Sequence, residues 1–211
     1  VFTATKNNYT ITIAVNTSGY GTVSKSSVSV PYGTAISASG STLTIGSNTI
    51  TATATSQTAQ YTYAFKDWTN ASGTVTSAKT VTANFTRTTR SYTVTIGVNT
   101  SGYGTVSKTS VSVAYGTSIS ASGATLKVGS NSITATPTSQ TAQYTYAFKD
   151  WTGASGTVTG AKTITANFTR TTRSYTVTWK DYNGTVLYES QVAYGTKPTY
   201  KGDSVKRNDG E

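Results

Sequence analysis

The stretch Tyr61-Thr62-Tyr63-Ala64-Phe65-Lys66-Asp67-Trp68-Thr69 returns unchanged at 144–152, 83 positions on. Tyr61, Tyr63 and Phe65 alternate with Thr62 and Ala64, so they share one face of a strand. Trp68 breaks that parity, which predicts a bulge or turn after Phe65. Two such aromatic strands in one chain predict two cores and a tandem array.

Working outward, the repeat divides the 211 residues into a lead-in at 1–8, units at 9–91 and 92–174, and a partial third unit at 175–211. Each complete unit is long enough to bury a modest core of its own. Tyr9, Ile11, Ile13 and Val15 alternate with Thr10, Thr12 and Ala14, the period-two pattern of a half-buried strand. Short strands follow around 21–24, 27–30, 35–38, 42–45 and 49–55, separated by Gly, Asn and Pro turns. Residues 79–86 close the unit, with Val81, Ala83 and Phe85 on one face. No window carries a 3.6-residue apolar stripe. The six residues Thr86-Arg87-Thr88-Thr89-Arg90-Ser91 recur at 169–174, polar and free of Gly and Pro, and read as an extended connector. The chain starts and stops inside this pattern, which points to a piece of a longer protein.

Differences between the two complete units carry information. Ile11 against Val94 and Val81 against Ile164 keep volume and polarity. Ala54 against Pro137 places that position at a strand edge or outside the ladder, because Pro lacks an amide donor. Thr44 against Lys127 implies a side chain facing solvent. The third unit opens with Tyr175-Thr176-Val177-Thr178-Trp179 and then diverges. Its Asn183-Gly184 predicts a hairpin with a type I′ turn.

Together, Gly21-Thr22-Val23, Tyr32-Gly33-Thr34, the Phe65 to Trp68 pair and Val81-Thr82-Ala83-Asn84-Phe85, each with its copy in the second unit, resemble the internalin-type B-repeat family, also called Listeria–Bacteroides repeats, in a divergent form. The resemblance implies an all-β chain of tandem β-grasp-like repeat domains in an elongated array. Ig-like β-sandwich repeats are the alternative. It also implies a structural stalk or spacer in an adhesin or other extracellular protein of the bacterial cell surface.

Chemistry is sparse. With no His and no Cys, the usual general base, the thiol nucleophile and thiolate metal sites are missing. Each complete unit holds one acid, Asp67 or Asp150, so no carboxylate pair can form within a unit. An enzyme, a cofactor and a metal are therefore not expected. Asp67 reads as a salt link or turn cap beside Lys66. Trp68 and Trp151 read as core rather than sugar platforms. Tyr20 and Tyr103, each between two glycines, are the candidate ligand-contact aromatics.

The net charge of +10 falls almost wholly on the two complete units. Host or wall glycans and other polyanions are the partners such charge attracts. The basic residues are scattered rather than in runs, so nucleic acid is not expected. No apolar run approaches a membrane span, and a monomer is expected. A carbohydrate- or wall-polymer-binding module is the rival to the stalk.

Overall fold

The computed structural model describes residues 5–204, so residues 1–4 of the expected lead-in and 205–211 of the expected third unit lie outside the described residues. All regular structure among those residues is strand. The chain separates into two compact units, Val1–Ser91 with Ala114–Gly116 and Tyr92–Val113 with Thr117–Glu211.

In the first unit the strands are β1 (Asn8–Val15), β2 (Gly21–Val23), β3 (Ser27–Pro31), β4 (Ala35–Ser39), β5 (Thr42–Ile45), β6 (Asn48–Ala54), β7 (Tyr61–Thr69), β8 (Gly73–Thr74) and β9 (Lys79–Thr89). They form two sheets, ordered β3-β1-β9-β7 and β2-β6-β5-β4-β8. At the centre of the first sheet β1 and β9 run parallel, Ile11 beside Lys79 and Ile13 beside Val81. A parallel pair needs a long crossover, and β2 to β8 supply it. The alternating sequences decide which face turns inward. Ile11, Leu43, Ile45, Ile50, Val75 and Val81 are fully buried, while the threonines between them face water or the sheet rim. The two sheets meet through these aliphatic side chains.

β9 also carries Ala83 and Phe85 into a second, smaller cluster with Ala52, Phe65 and Trp68. Phe65 and Phe85 meet edge to face at 5.7 Å. The predicted break in β7 is present: the register with β9 shifts between Phe65 and Asp67, so Lys66 is the extra residue and Trp68 returns to the core side.

The second unit repeats the plan with β10 (Ser91–Val98), β11 (Gly104–Val106), β12 (Ser110–Ala114), β13 (Ser118–Ser122), β14 (Thr125–Val128), β15 (Asn131–Pro137), β16 (Tyr144–Thr152), β17 (Gly156–Thr157) and β18 (Lys162–Thr172). Its sheets are β12-β10-β18-β16 and β11-β15-β14-β13-β17. Pro137 ends β15 opposite Gly104, three residues past Thr134, where pairing with β14 stops. Its missing donor therefore leaves no ladder partner unmet. Lys127 is exposed on β14. The two-sheet packing is that of a sandwich, but the parallel central pair departs from the antiparallel sheets of Ig-like domains. No helix among the described residues crosses the four-stranded sheet; strands β4–β6 and β13–β15 cover it.

The second unit continues into β19 (Ser174–Lys180) and β20 (Val186–Ala193), an antiparallel pair. The turn joining them corrects the type I′ expectation. A type I′ turn needs positive φ at both central residues, yet Asn70 is the one non-glycine with positive φ among the described residues. Here the Gly184 amide donates to the Asp181 carbonyl, and Gly184 alone takes φ 91°. The Asp181 carboxylate accepts the Asn183 and Thr185 amides, which holds Asn183 out of the left-handed region.

Candidate functional site

The two glycines around Tyr20 have different reasons to be there. Gly19 sits at φ 83°, where a side chain would be strained. Gly21 lies under the Phe85 ring: a Cβ built on it would stand 2.3 Å from a ring carbon. β2 is thus pressed onto the aromatic cluster, and Tyr20, one residue before it, is carried over the β7–β9 surface. Its ring meets Tyr63 edge-on at 5.5 Å.

Tyr63 pairs across the ladder with Arg87. Arg87 leans back over its neighbours, with Cζ 4.1 Å from the centre of the Tyr61 ring and 5.1 Å from that of Tyr20. The second unit reproduces the group. Tyr103 meets Tyr146 at 5.5 Å, and Arg170 lies 4.1 Å from Tyr144 and 5.1 Å from Tyr103. Tyr20 and Tyr103 are half-buried, while both arginines are exposed. The sequence pointed to Tyr20 and Tyr103 by their glycine neighbours. It did not point to Arg87 and Arg170, which belong to the connector and join the tyrosines only through the β7–β9 and β16–β18 registers.

Trp68 and Trp151 are also half-buried, each packed against both hydrophobic clusters of its unit. Each indole Nε1 is buried without a hydrogen-bond partner, a loss of about 1–3 kcal/mol for a desolvated donor. In the second unit Trp151 and Phe148 border an open groove of about 570 Å³, together with Lys149, Asp150, Ser120 and Ser155. Asp67 is exposed and accepts a hydrogen bond from Asn84 Nδ2 at 2.6 Å, with Lys66 Nζ at 3.9 Å. The carboxylate pins the β7 bulge to β9. Asp150, Asn167 and Lys149 do the same in the second unit. Among the described residues no group of three or more His, Cys, Asp or Glu is placed to hold a metal.

Two further polar groups escaped the sequence reading. Asn16 donates from Nδ2 to the Phe85 carbonyl and accepts from the Phe85 amide through Oδ1, both at 3.0 Å. Its side chain thereby extends the parallel β1–β9 ladder by one more rung. Asn99 does this for Phe168. The other group is the arginine after each closing strand. Arg90 donates its amide to Gln60 and its Nη1 to the Thr58 carbonyl. Arg173 matches it with Gln143 and Thr141. Arg173 also accepts the Tyr194 amide, lies 5.0 Å from the Tyr175 ring centre, and precedes Tyr175, whose hydroxyl donates to the Ala142 carbonyl at 2.6 Å.

No family model matches the sequence, and no curated protein is similar enough to match. A solved structure that does match is that of domains 3-4 of the Streptococcal High Identity Repeats in Tandem (SHIRT) from a cell surface protein. The identity is 16% and the TM-score 0.37, over 78% of this chain and 99% of that one.

Proposed function

We propose that the chain is a segment of a structural stalk in a bacterial cell-surface protein, built from divergent B-repeat-like units that hold a binding region away from the cell. One observation carries the reading: the same 83-residue block closes its own core twice, and a single residue, Arg90 or Arg173, separates the closing strand from the next opening strand. A spacer must gain length without gaining slack. Arg173 supports this within the second unit, because its backbone and side chain are both tied to the loop before β16. The hydroxyl-rich exterior, with few charges and no thiol, suits an extracellular setting. The sandwich units buried by aliphatic side chains supply stiffness without disulfides.

Force spectroscopy on the tethered chain tests the proposal directly. A stalk predicts two separate unfolding steps of equal size, each releasing a block whose fully extended length is at most about 300 Å. Small-angle scattering of the same protein is expected to give an elongated envelope. One merged unfolding step, or a scattering profile of a single globule, overturns the proposal. A second reading, a carbohydrate-binding module, draws on the groove beside Trp151. It predicts binding on a panel of wall and host glycans that is lost in Trp151→Ala.

A further inference from the structure

We infer that the arginine–tyrosine group on each complete unit is a receptor for the carboxylate of an acidic polysaccharide, a uronic-acid polymer, with one site centred on Arg87 and another on Arg170. The inference does not depend on the stalk reading, since it concerns a group within each unit, on the core-facing side of one sheet past Phe65 and Phe85.

The chemistry starts from the guanidinium. In the first unit its carbon lies over two rings, 4.1 Å from the centre of Tyr61 and 5.1 Å from that of Tyr20. Its N–H donors lie in the plane of the group, so contact with the rings does not use them up as hydrogen bonds to an acceptor would. A planar carboxylate accepts such a fork through two parallel hydrogen bonds. Among the described residues the ion pairs are Lys66–Asp67 and Lys149–Asp150, and neither involves these arginines. The one carboxylate of each 83-residue block, Asp67 or Asp150, is already bound by an asparagine.

The neighbourhood favours a sugar over a bare anion. Tyr63 stands directly across from Arg87 and Tyr146 across from Arg170, half-buried rings that offer an apolar face beside the charge. A uronate has both features, a carboxylate and a pyranose ring with an apolar face. The surroundings are electropositive, because blocks 9–91 and 92–174 hold five and six Lys and Arg, each against one Asp. The same distances recur at both sites. A duplicated weak site suits a polymer, where linked binding raises avidity by roughly 10²–10⁴ over a single contact.

The test uses the whole chain and polygalacturonate, with dextran as the neutral control and dextran sulfate as the charge control. Arg87→Lys with Arg170→Lys keeps the net charge and removes the fork. The expected result is at least a tenfold loss of polygalacturonate affinity in the double variant, unchanged dextran sulfate binding, no dextran binding by either protein, and an unchanged thermal midpoint. Equal polygalacturonate binding by both proteins overturns the inference and leaves diffuse charge as the cause. Failure of the unsubstituted protein to bind polygalacturonate overturns it as well. Ring proton shifts on titrating the unsubstituted protein give a readout independent of folding. They are expected at Tyr20, Tyr61 and Tyr63 and at their copies, and shifts confined to other residues refute the assignment.

Discussion

β10 and β19 begin with nearly the same words, Ser-Tyr-Thr-Val-Thr, yet they end in different surroundings. In β10, Val94 and Ile96 are buried to 0% and 1% exposure, held between β12 on one side and β18 on the other. In β19, Val177 and Trp179 are half-buried, and β20 is the strand's one partner among the described residues. The opening strand does not carry its own burial. It acquires a core when a closing strand, nearly seventy residues further on, lays down beside it in parallel, as Val94 meets Lys162 and Ile96 meets Ile164. The hairpin compensates locally, with Trp179, Tyr188 and Tyr200 meeting tilted or edge-on at centroid distances of 5.3 to 6.0 Å.

Several substitutions would strain that contrast, beginning with the largest. Phe168→Ala removes the anchor of β18 and is expected to cost about 3–5 kcal/mol. Hydrogen exchange should then show β10 opening as readily as β19, while β1 stays protected. Gly104→Ala pushes a methyl into the Phe168 ring, 2.4 Å from a ring carbon. Overpacking of this kind costs about 1–3 kcal/mol, and denaturant titration should place the loss in the second unit alone.

Asn99→Ala cuts the last rung between β10 and β18 and strands the Phe168 amide and carbonyl. A loss of about 1–3 kcal/mol in chemical denaturation is expected, slightly smaller than for Gly104→Ala if water reaches the freed groups. Trp179→Ala should abolish exchange protection across β19 and β20 while leaving the melting of both complete units unchanged. A drop in their midpoints would mean that the hairpin is part of the second core. Ala54→Pro closes the series as a control on the likeness of the two complete units. Pro already sits at the matching position 137, so the change is expected to be neutral or to stabilise by about 0.4–1 kcal/mol. A clear loss in the thermal midpoint would show that β6 and β15 differ in backbone.

Local patterns were legible in the sequence because strand alternation and turn chemistry act over a few residues. The alternation of Tyr9 to Val15 and the break between Phe65 and Trp68 translate directly into β1 and the β7 bulge. What was not legible depends on long separations. Nothing near Asn16 says that its side chain reaches Phe85, 69 residues away. Nothing near Gly21 says that a ring from β9 fills the space where its Cβ would lie. The Asn183-Gly184 pair misled for a local reason, since Asp181 captures the amides that a type I′ turn would point elsewhere. At the candidate site, the glycine-flanked tyrosines were readable, whereas their arginine arrived through register.

The three tryptophans fall one to each stretch, at 68, 151 and 179. Two of them hold an indole N–H away from any acceptor. The chain thus contains its own optical reporters. Indoles shielded in this way emit at shorter wavelength than wetted ones, so single-tryptophan versions would let fluorescence colour follow each segment's melting separately, with no dye attached.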